Sequence, residues 1–240
     1  MATRIQVGGK RKSSNKWLIF LFIAIIALGL GGVFYFYNNL KNTTEIKADA
    51  VSYLITYEMP QKTELYFIRI KNQSRKIFIV KSPDNIYYSE KNLYIDSLKP
   101  EEALTNFEQM FDINPSTIKY HFVLKSGNIS PFLSILKGQG NSIDDLFNFL
   151  KARKSGLFDM LIANNIVKEI RKYGNTNLSY NGAFALLQAF SKYSITSYNK
   201  LEIKTLLSKP VTINLPDLKK KMERNYIDKT SLESLKTILE

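Results

Sequence analysis

The strongest constraint on this chain is the run from Trp17 to Tyr37, WLIFLFIAIIALGLGGVFYFY, 21 residues without a charge. As a helix rising about 1.5 Å per residue it reaches about 30 Å, the thickness of a bilayer's hydrocarbon core. Trp17 stands at one end, and Tyr35 and Tyr37 at the other, where amphipathic rings favour the headgroup level. Arg4, Lys10, Arg11, Lys12 and Lys16 precede the run, whereas Lys41 and Lys47 follow it interleaved with Glu45 and Asp49. The positive-inside rule then expects a cytoplasmic N-terminus and an extracytoplasmic remainder. The run is too long for the apolar segment of a cleaved signal peptide. Ala48-Asp49-Ala50 has a cleavage-like form but lies 11 residues beyond the run. The reading is therefore an uncleaved signal-anchor in the plasma membrane, crossed once.

This organises the chain into a basic tail over residues 1–16, a transmembrane helix over 17–37, a polar stalk over 38–48 and one folded domain over 49–240. About 200 residues are enough for a core of useful size. The chain carries a formal charge of +13, five of these charges in the tail, which leaves +8 beyond it. A basic extracytoplasmic domain suits anionic headgroups, lipid-linked phosphates or an acidic wall polymer. Facing away from the cytoplasm, it does not suit nucleic acid. With no cysteine, disulfides, thiolate metal sites and a cysteine nucleophile are excluded. The single histidine, His121, excludes a histidine metal cluster. It lies in the strand-like KYHFVL and reads as a structural residue. No phosphate-binding glycine loop, nucleophile elbow or zinc-binding HExxH is present.

Along the domain, Val51–Tyr57 reads as a first strand. Glu64–Lys71 and Arg75–Lys81 read as a hairpin, and Ile86–Tyr88 as a short strand. Pro100 opens a helix with Glu101 and Glu102 in its positive first turn. Thr117–Lys125 is a strand, and Pro131 opens another helix. Ser142 and Asp145 form a capping box. A long helix is expected from Leu157 to about Tyr173, and a helix capped by Ser179 follows. Strands are expected at Leu201–Leu207 and Val211–Asn214, then a basic helix from Pro216 through PDLKKKMER, and a last helix capped by Thr230. Strand and helix alternation points to an α/β domain, a mixed β-sheet flanked by helices.

The order of these elements resembles one family. A basic tail, one membrane helix and an external α/β domain are the layout of the LytR-CpsA-Psr (LCP) proteins. The hairpin RIKNQSRKIFIVKSPD (69–84) is similar to theirs in length, alternation and closing proline. KPEEALTNFEQMFDINPSTIKYHFVL (99–124), SPFLSILKG (130–138), LFNFLKAR (146–153) and Phe158–Ile170 follow in the family's order, so the resemblance spans roughly residues 1–174. It implies enzymes that move a lipid-linked phosphopolymer onto peptidoglycan, holding pyrophosphate with arginines and magnesium with aspartates. Carried over residue by residue, most of that equipment is missing. The arginine after the proline is Asp84. The first strand's aspartate falls at Tyr57 or Glu58, and the hairpin's at Thr63 or Glu64. A late arginine becomes Asp159 and the next Ile162. Arg153 and Lys151 alone keep basic character as candidate phosphate ligands, with Glu58 and Glu64 as candidate acidic or metal-binding residues.

The resemblance thus implies a divergent family member, without catalysis and without a cofactor, that binds or scaffolds lipid-linked or wall polymers in the bacterial envelope. One alternative is a divergent phosphotransferase using magnesium; another is a structural partner of other envelope proteins with no ligand. The lipid bilayer is a partner in each.

Overall fold

A segment that is apolar all round has no polar face to turn to water, and the run near the N-terminus folds accordingly. In the computed structural model, which describes residues 16–195, 201–215 and 220–239, it forms α1, Lys16–Leu40. Within Trp17–Leu40 an 18-residue stretch has a mean hydropathy of 2.6, and this helix is long and apolar enough to cross a membrane. None of its most apolar stretch is buried inside the protein. The chain divides just before Leu40, and residues 40–240 form a second compact unit.

That unit is a mixed α/β domain. Its first sheet has five strands, β1 (Ala50–Glu58), β2 (Thr63–Lys71), β3 (Lys76–Pro83), β6 (Ile118–Lys125) and β7 (Ser194–Ile195), in the order β6-β1-β2-β3-β7. β1 and β2 pair antiparallel from Ala50↔Lys71 to Glu58↔Thr63, and β6 runs parallel to β1. Both central strands are buried along nearly their whole length. This explains their near-continuous apolar character: each face is covered by helices. One face presents Leu54, Leu65, Phe67, Phe78 and Val80 to α3 (Pro100–Met110) and α8 (Lys229–Leu239), with Phe67 stacked on Phe107 at 5.2 Å. The other lies under α5 (Ile143–Ala152), α6 (Asp159–Ile170) and α7 (Tyr180–Lys192). There Tyr66 meets Phe147 at 5.5 Å, and Phe147 stacks on Phe190 at 6.0 Å. Each buried ring contributes about 1.5–3 kcal/mol relative to exposure. A second sheet of four strands, β4 (Ile86–Tyr88), β5 (Leu93–Ile95), β8 (Val211–Leu215) and β9 (Lys220–Tyr226), has the order β5-β4-β9-β8.

Local chemistry explains the helix ends. Pro100 occupies the first turn of α3 with Glu101 and Glu102. Ser142 and Asp145 make the expected capping box, and the Ser179 hydroxyl accepts from Gly182 N at 2.9 Å. Buried polar groups tie layers together. Arg69 donates to Glu108 at 3.3 Å, to Ser116 at 3.1 Å and to the Asn114 carbonyl at 2.8 Å, joining β2 to α3 and the loop before β6.

Several sequence expectations are corrected. The stretch expected to be a polar stalk contains α2, Thr44–Lys47. Its Glu45 is buried and accepts from Tyr120 Oη at 2.8 Å, while Asn72 Nδ2 donates to the Glu45 and Ala48 carbonyls. The helix expected from Pro131 is α4, Ile129–Ile135, and α6 is shorter than the expected span from Leu157 to Tyr173. Leu201–Leu207 makes isolated bridges only, through Glu202 with Lys81 and Thr205 with Ile227. The basic helix expected from Pro216 is instead β9 where it is described; residues 216–219 lie outside the described residues. The last helix starts one residue before Thr230, and Asp228 Oδ1 accepts from Thr230 N at 3.1 Å in the capping role expected of Thr230.

Candidate functional site

Glu58 and Glu64 lie at one end of the first sheet, on the last turn of pairing between β1 and β2. Glu58 faces Thr63 across the ladder and Glu64 faces Tyr57. Side chains alternate along a strand, so residues opposite each other share a face. Glu64 is on the face of Tyr57, and Glu58 is on the other. The two carboxylates therefore cannot chelate one ion. Each already has a cation. Lys125 Nζ stands 3.6 Å from Glu58, and Glu64 receives Lys62 Nζ at 2.6 Å and Lys81 Nζ at 3.0 Å. Tyr66 Oη also donates to Glu64 at 2.9 Å. Burial raises the Glu64 carboxyl, but these three donors outweigh it and hold the group below the ordinary 4.5. Among the described residues no group of three or more acidic, histidine or cysteine side chains could hold a metal.

Asp84 closes the same end. Its carboxylate accepts from Asn85 N at 2.8 Å, Ser97 N at 2.9 Å and Ser97 Oγ at 2.5 Å. Burial pushes it above the ordinary 3.8, against the pull of those hydrogen bonds. It staples the loop before β4 to the chain after β5. The cleft beside it, about 440 Å³, is walled by Lys62, Glu64, Lys81, Asp84, Glu202 and Glu223. Four carboxylates against one outnumbered lysine pair make it a poor seat for pyrophosphate.

Arg153 and Lys151 are elsewhere. The Tyr57 and Tyr66 phenols are pushed up by burial, then by Glu64 and by Asp144, so the start of α5 lies at the Glu64 end. Arg153 caps the other end of that helix, about 14 Å along its axis at 1.5 Å per residue. There its Nη2 forms an ion pair with Asp159, while Nη1 is buried without a partner. Asp159 also accepts from Gln188 Nε2 at 2.7 Å and Gly156 N at 3.2 Å. Asp159, standing where the family resemblance expects an arginine, is fully buried and supplies Arg153 with an internal anion. Lys151 is exposed in the last turn of α5. The structure thus brings Arg153 to Asp159 and Gln188, and brings neither Arg153 nor Lys151 to Glu58 or Glu64.

Sequence reasoning missed the partners of that network. Gln188 Oε1 accepts from Lys192 Nζ. Lys192 in turn lines a cleft of about 450 Å³ with Lys41, Asn72 and Arg75. That cleft lies at the β2–β3 turn, the opposite end of the sheet from Glu64, about 26 Å away along eight strand steps. Nothing local in the sequence marks it, because its walls come from three separated segments.

An α/β domain of mixed sheet and flanking helices, preceded by one apolar helix, is the class of protein this architecture defines. No family model and no curated protein matches the chain. Among solved structures it is similar to the Lin1025 protein from Listeria innocua, at 12% identity and a TM-score of 0.47, over 80% of this chain and 96% of that one. It is similar to the transcriptional regulator YvhJ from Bacillus subtilis, at 12% identity and 0.46, over 79% and 94%. A third is the LytR-CPS2A-psr family protein YwtF (TagT) with bound octaprenyl pyrophosphate lipid, at 13% identity and 0.43, over 82% and 91%. The last carries the name of the family that the order of elements resembles.

Proposed function

We propose that this chain is a membrane-anchored, extracytoplasmic LCP-like protein of the bacterial cell envelope that binds or scaffolds lipid-linked or wall polymers without catalysis. The observation that carries this reading is the Arg153–Asp159 pair. A guanidinium that would grip a phosphate by two parallel bonds is instead committed to a buried carboxylate. The acidic candidates Glu58 and Glu64 point to opposite faces and are held by lysines, which counts against these two as the magnesium pair of the phosphotransferase alternative.

A specific observation favours the purely structural alternative for the interior. A polyprenyl tail needs an open apolar cavity. The space beneath α5 and α7 is filled by Tyr66, Phe147 and Phe190 ring against ring.

The test uses the full chain in nanodiscs with octaprenyl pyrophosphate, with and without magnesium, beside the Arg153→Ala variant. Metal-independent binding and no transfer to peptidoglycan are expected. Magnesium-dependent transfer abolished by Arg153→Ala would overturn the non-catalytic reading. Absence of any lipid binding would leave the scaffolding role alone.

A further inference from the structure

We propose that the cleft between the β2–β3 turn and the end of α7 is a phosphate-binding site, built from Lys41, Arg75 and Lys192 and occupied by the phosphate of a membrane lipid headgroup. It lies at the sheet end remote from Glu64 and Asp84, and its Lys192 meets the Arg153–Asp159 pair only through Gln188.

Three cations converge on one cleft of about 450 Å³, a volume within the range of small-ligand pockets. No carboxylate is among its described lining residues. The other clefts of similar size each hold at least one, Asp49 in one, Glu64 and Asp84 in a second, and Glu101 and Glu102 in a third. Among the described residues neither Arg75 nor Lys192 has an ion-pair partner. Burial draws the Lys192 ammonium down, and the nearby Lys41 and Arg75 draw it down further, against Asp159. Like charges gathered in one cleft raise each other's energy, and an anion between them relieves it.

The three cations are exposed, but the Arg75 backbone and the Lys192 ammonium are tied in place. Arg75 sits in the left-handed region, with φ of 52°, where glycine is at ease and arginine is not. Its carbonyl accepts from Ser194 N at 3.0 Å and Ser194 Oγ at 3.3 Å, which ties the turn to β7. Lys192 donates to Gln188, and Tyr193 Oη donates to Asn72 at 3.1 Å across the same cleft. These bonds fix the segments that carry the cations, and charged donors on fixed segments suit charge-assisted phosphate binding.

Chain connectivity selects the lipid as the source. Lys41 directly follows Leu40, the last residue of the apolar helix. Lysine at such a boundary stands at the level of the headgroups when the helix spans a bilayer. The phosphate chemistry stands without the membrane-anchor reading; the choice of a lipid rests on it.

The test uses the full chain in an uncharged detergent, with phosphatidylglycerol or glycerol 3-phosphate added. Native mass spectrometry counts retained lipid, and hydrogen exchange follows residues 41–48, 72–75 and 185–193. One retained lipid and protection of all three segments are expected, weakened by added salt. Arg75→Gly removes the guanidinium while easing the backbone, so it stays folded. It and Lys192→Gln are each expected to weaken retention roughly tenfold, the effect of losing one charge-assisted contact. Equal protection by glycerol 3-phosphate would support the site with a soluble phosphate as its occupant. Unprotected segments with both probes, or retention unchanged in both variants, would overturn the proposal.

Discussion

Arg153 and Asp159 show how one substitution changes what a neighbouring residue can do. An arginine at the mouth of a site is a phosphate ligand; the same arginine with a buried carboxylate six residues on is a structural tie. The pair is coupled, and its two members are not equivalent. Removing the carboxylate with Asp159→Leu strands a buried guanidinium and is expected to cost about 3–5 kcal/mol. Arg153→Met leaves Asp159 with Gln188 and Gly156 N and is expected to cost less. The double variant, apolar on both sides, is expected to be more stable than Asp159→Leu alone. Urea denaturation of the four proteins checks this, and strictly additive costs would show that the pair is not coupled. None of this was legible in the sequence. Asp159 was identifiable there only as the place of a lost arginine, since an ion pair across a helix boundary depends on how α5 and α6 meet.

His121 is the residue whose reading from sequence held, a structural histidine in a strand. It is buried, and neither ring nitrogen has a partner. Burial lowers its pKa below 6.5, against the attraction of Glu101. The folded state therefore favours the neutral ring. Its contribution to stability is complete above 6.5, and it is lost as pH falls from there through the folded-state value. His121→Leu removes the titrating group and the unpaired ring nitrogens together. Thermal unfolding of this variant is expected to have a flatter pH dependence than the parent just below 6.5, with stability at neutral pH equal or higher. An unchanged slope would assign the pH dependence to other groups.

At the scale of elements, what could be read ahead was what local chemistry fixes. β1 and the hairpin declare themselves by β-branched and aromatic runs, α3 by Pro100 and two glutamates, α5 by its capping box. The failures are elements whose form is decided by a distant partner. Lys, Met, Glu and Arg are good helix formers, so KKKMER reads as helix. From Lys220 on it is part of β9, because β8 pairs with it from Val211↔Arg224 to Leu215↔Lys220 and β4 pairs with the end of β9 on the other side. Arg224 then lies over the Tyr87 ring at 4.2 Å, and Asn225 Nδ2 donates to the Asp84 carbonyl at 2.6 Å. A propensity difference of a few tenths of a kcal/mol per residue is overridden by such pairing. The docking of α7 has the same character. A Cβ on Gly182 would stand 2.6 Å from the Tyr120 ring, and Tyr53 Oη donates to the Gly182 carbonyl at 3.0 Å. Only the folded sheet reveals why that position is a glycine. Glu45 likewise looks like part of a solvated linker until Tyr120, 75 residues later, arrives to bond it.

For the whole molecule, the deciding feature is the contrast between a helix with no polar face and a basic domain after it. The fold class could be read from strand and helix alternation, and a helix long and apolar enough to cross a membrane from the length of its apolar run. The candidate site could not be read as a unit: its acidic members lie near the start of α5 and its basic members at that helix's other end. The orientation of the chain is the consequence with the widest reach, because an envelope role requires the domain to face outward. Four cations before α1 and Lys16 at its first position, against a mixed flank after it, favour that orientation. The absence of native cysteine makes it directly measurable. A single cysteine at Ser13→Cys reports the tail, and one at the exposed Gln139→Cys reports the domain. In intact cells a membrane-impermeant maleimide is expected to label Gln139→Cys and not Ser13→Cys, with both labelled after permeabilisation. The reverse pattern would put the domain in the cytoplasm and remove wall polymers from its reach. Labelling of neither in intact cells, with both reactive after lysis, would point to a chain that does not present its domain at the surface at all.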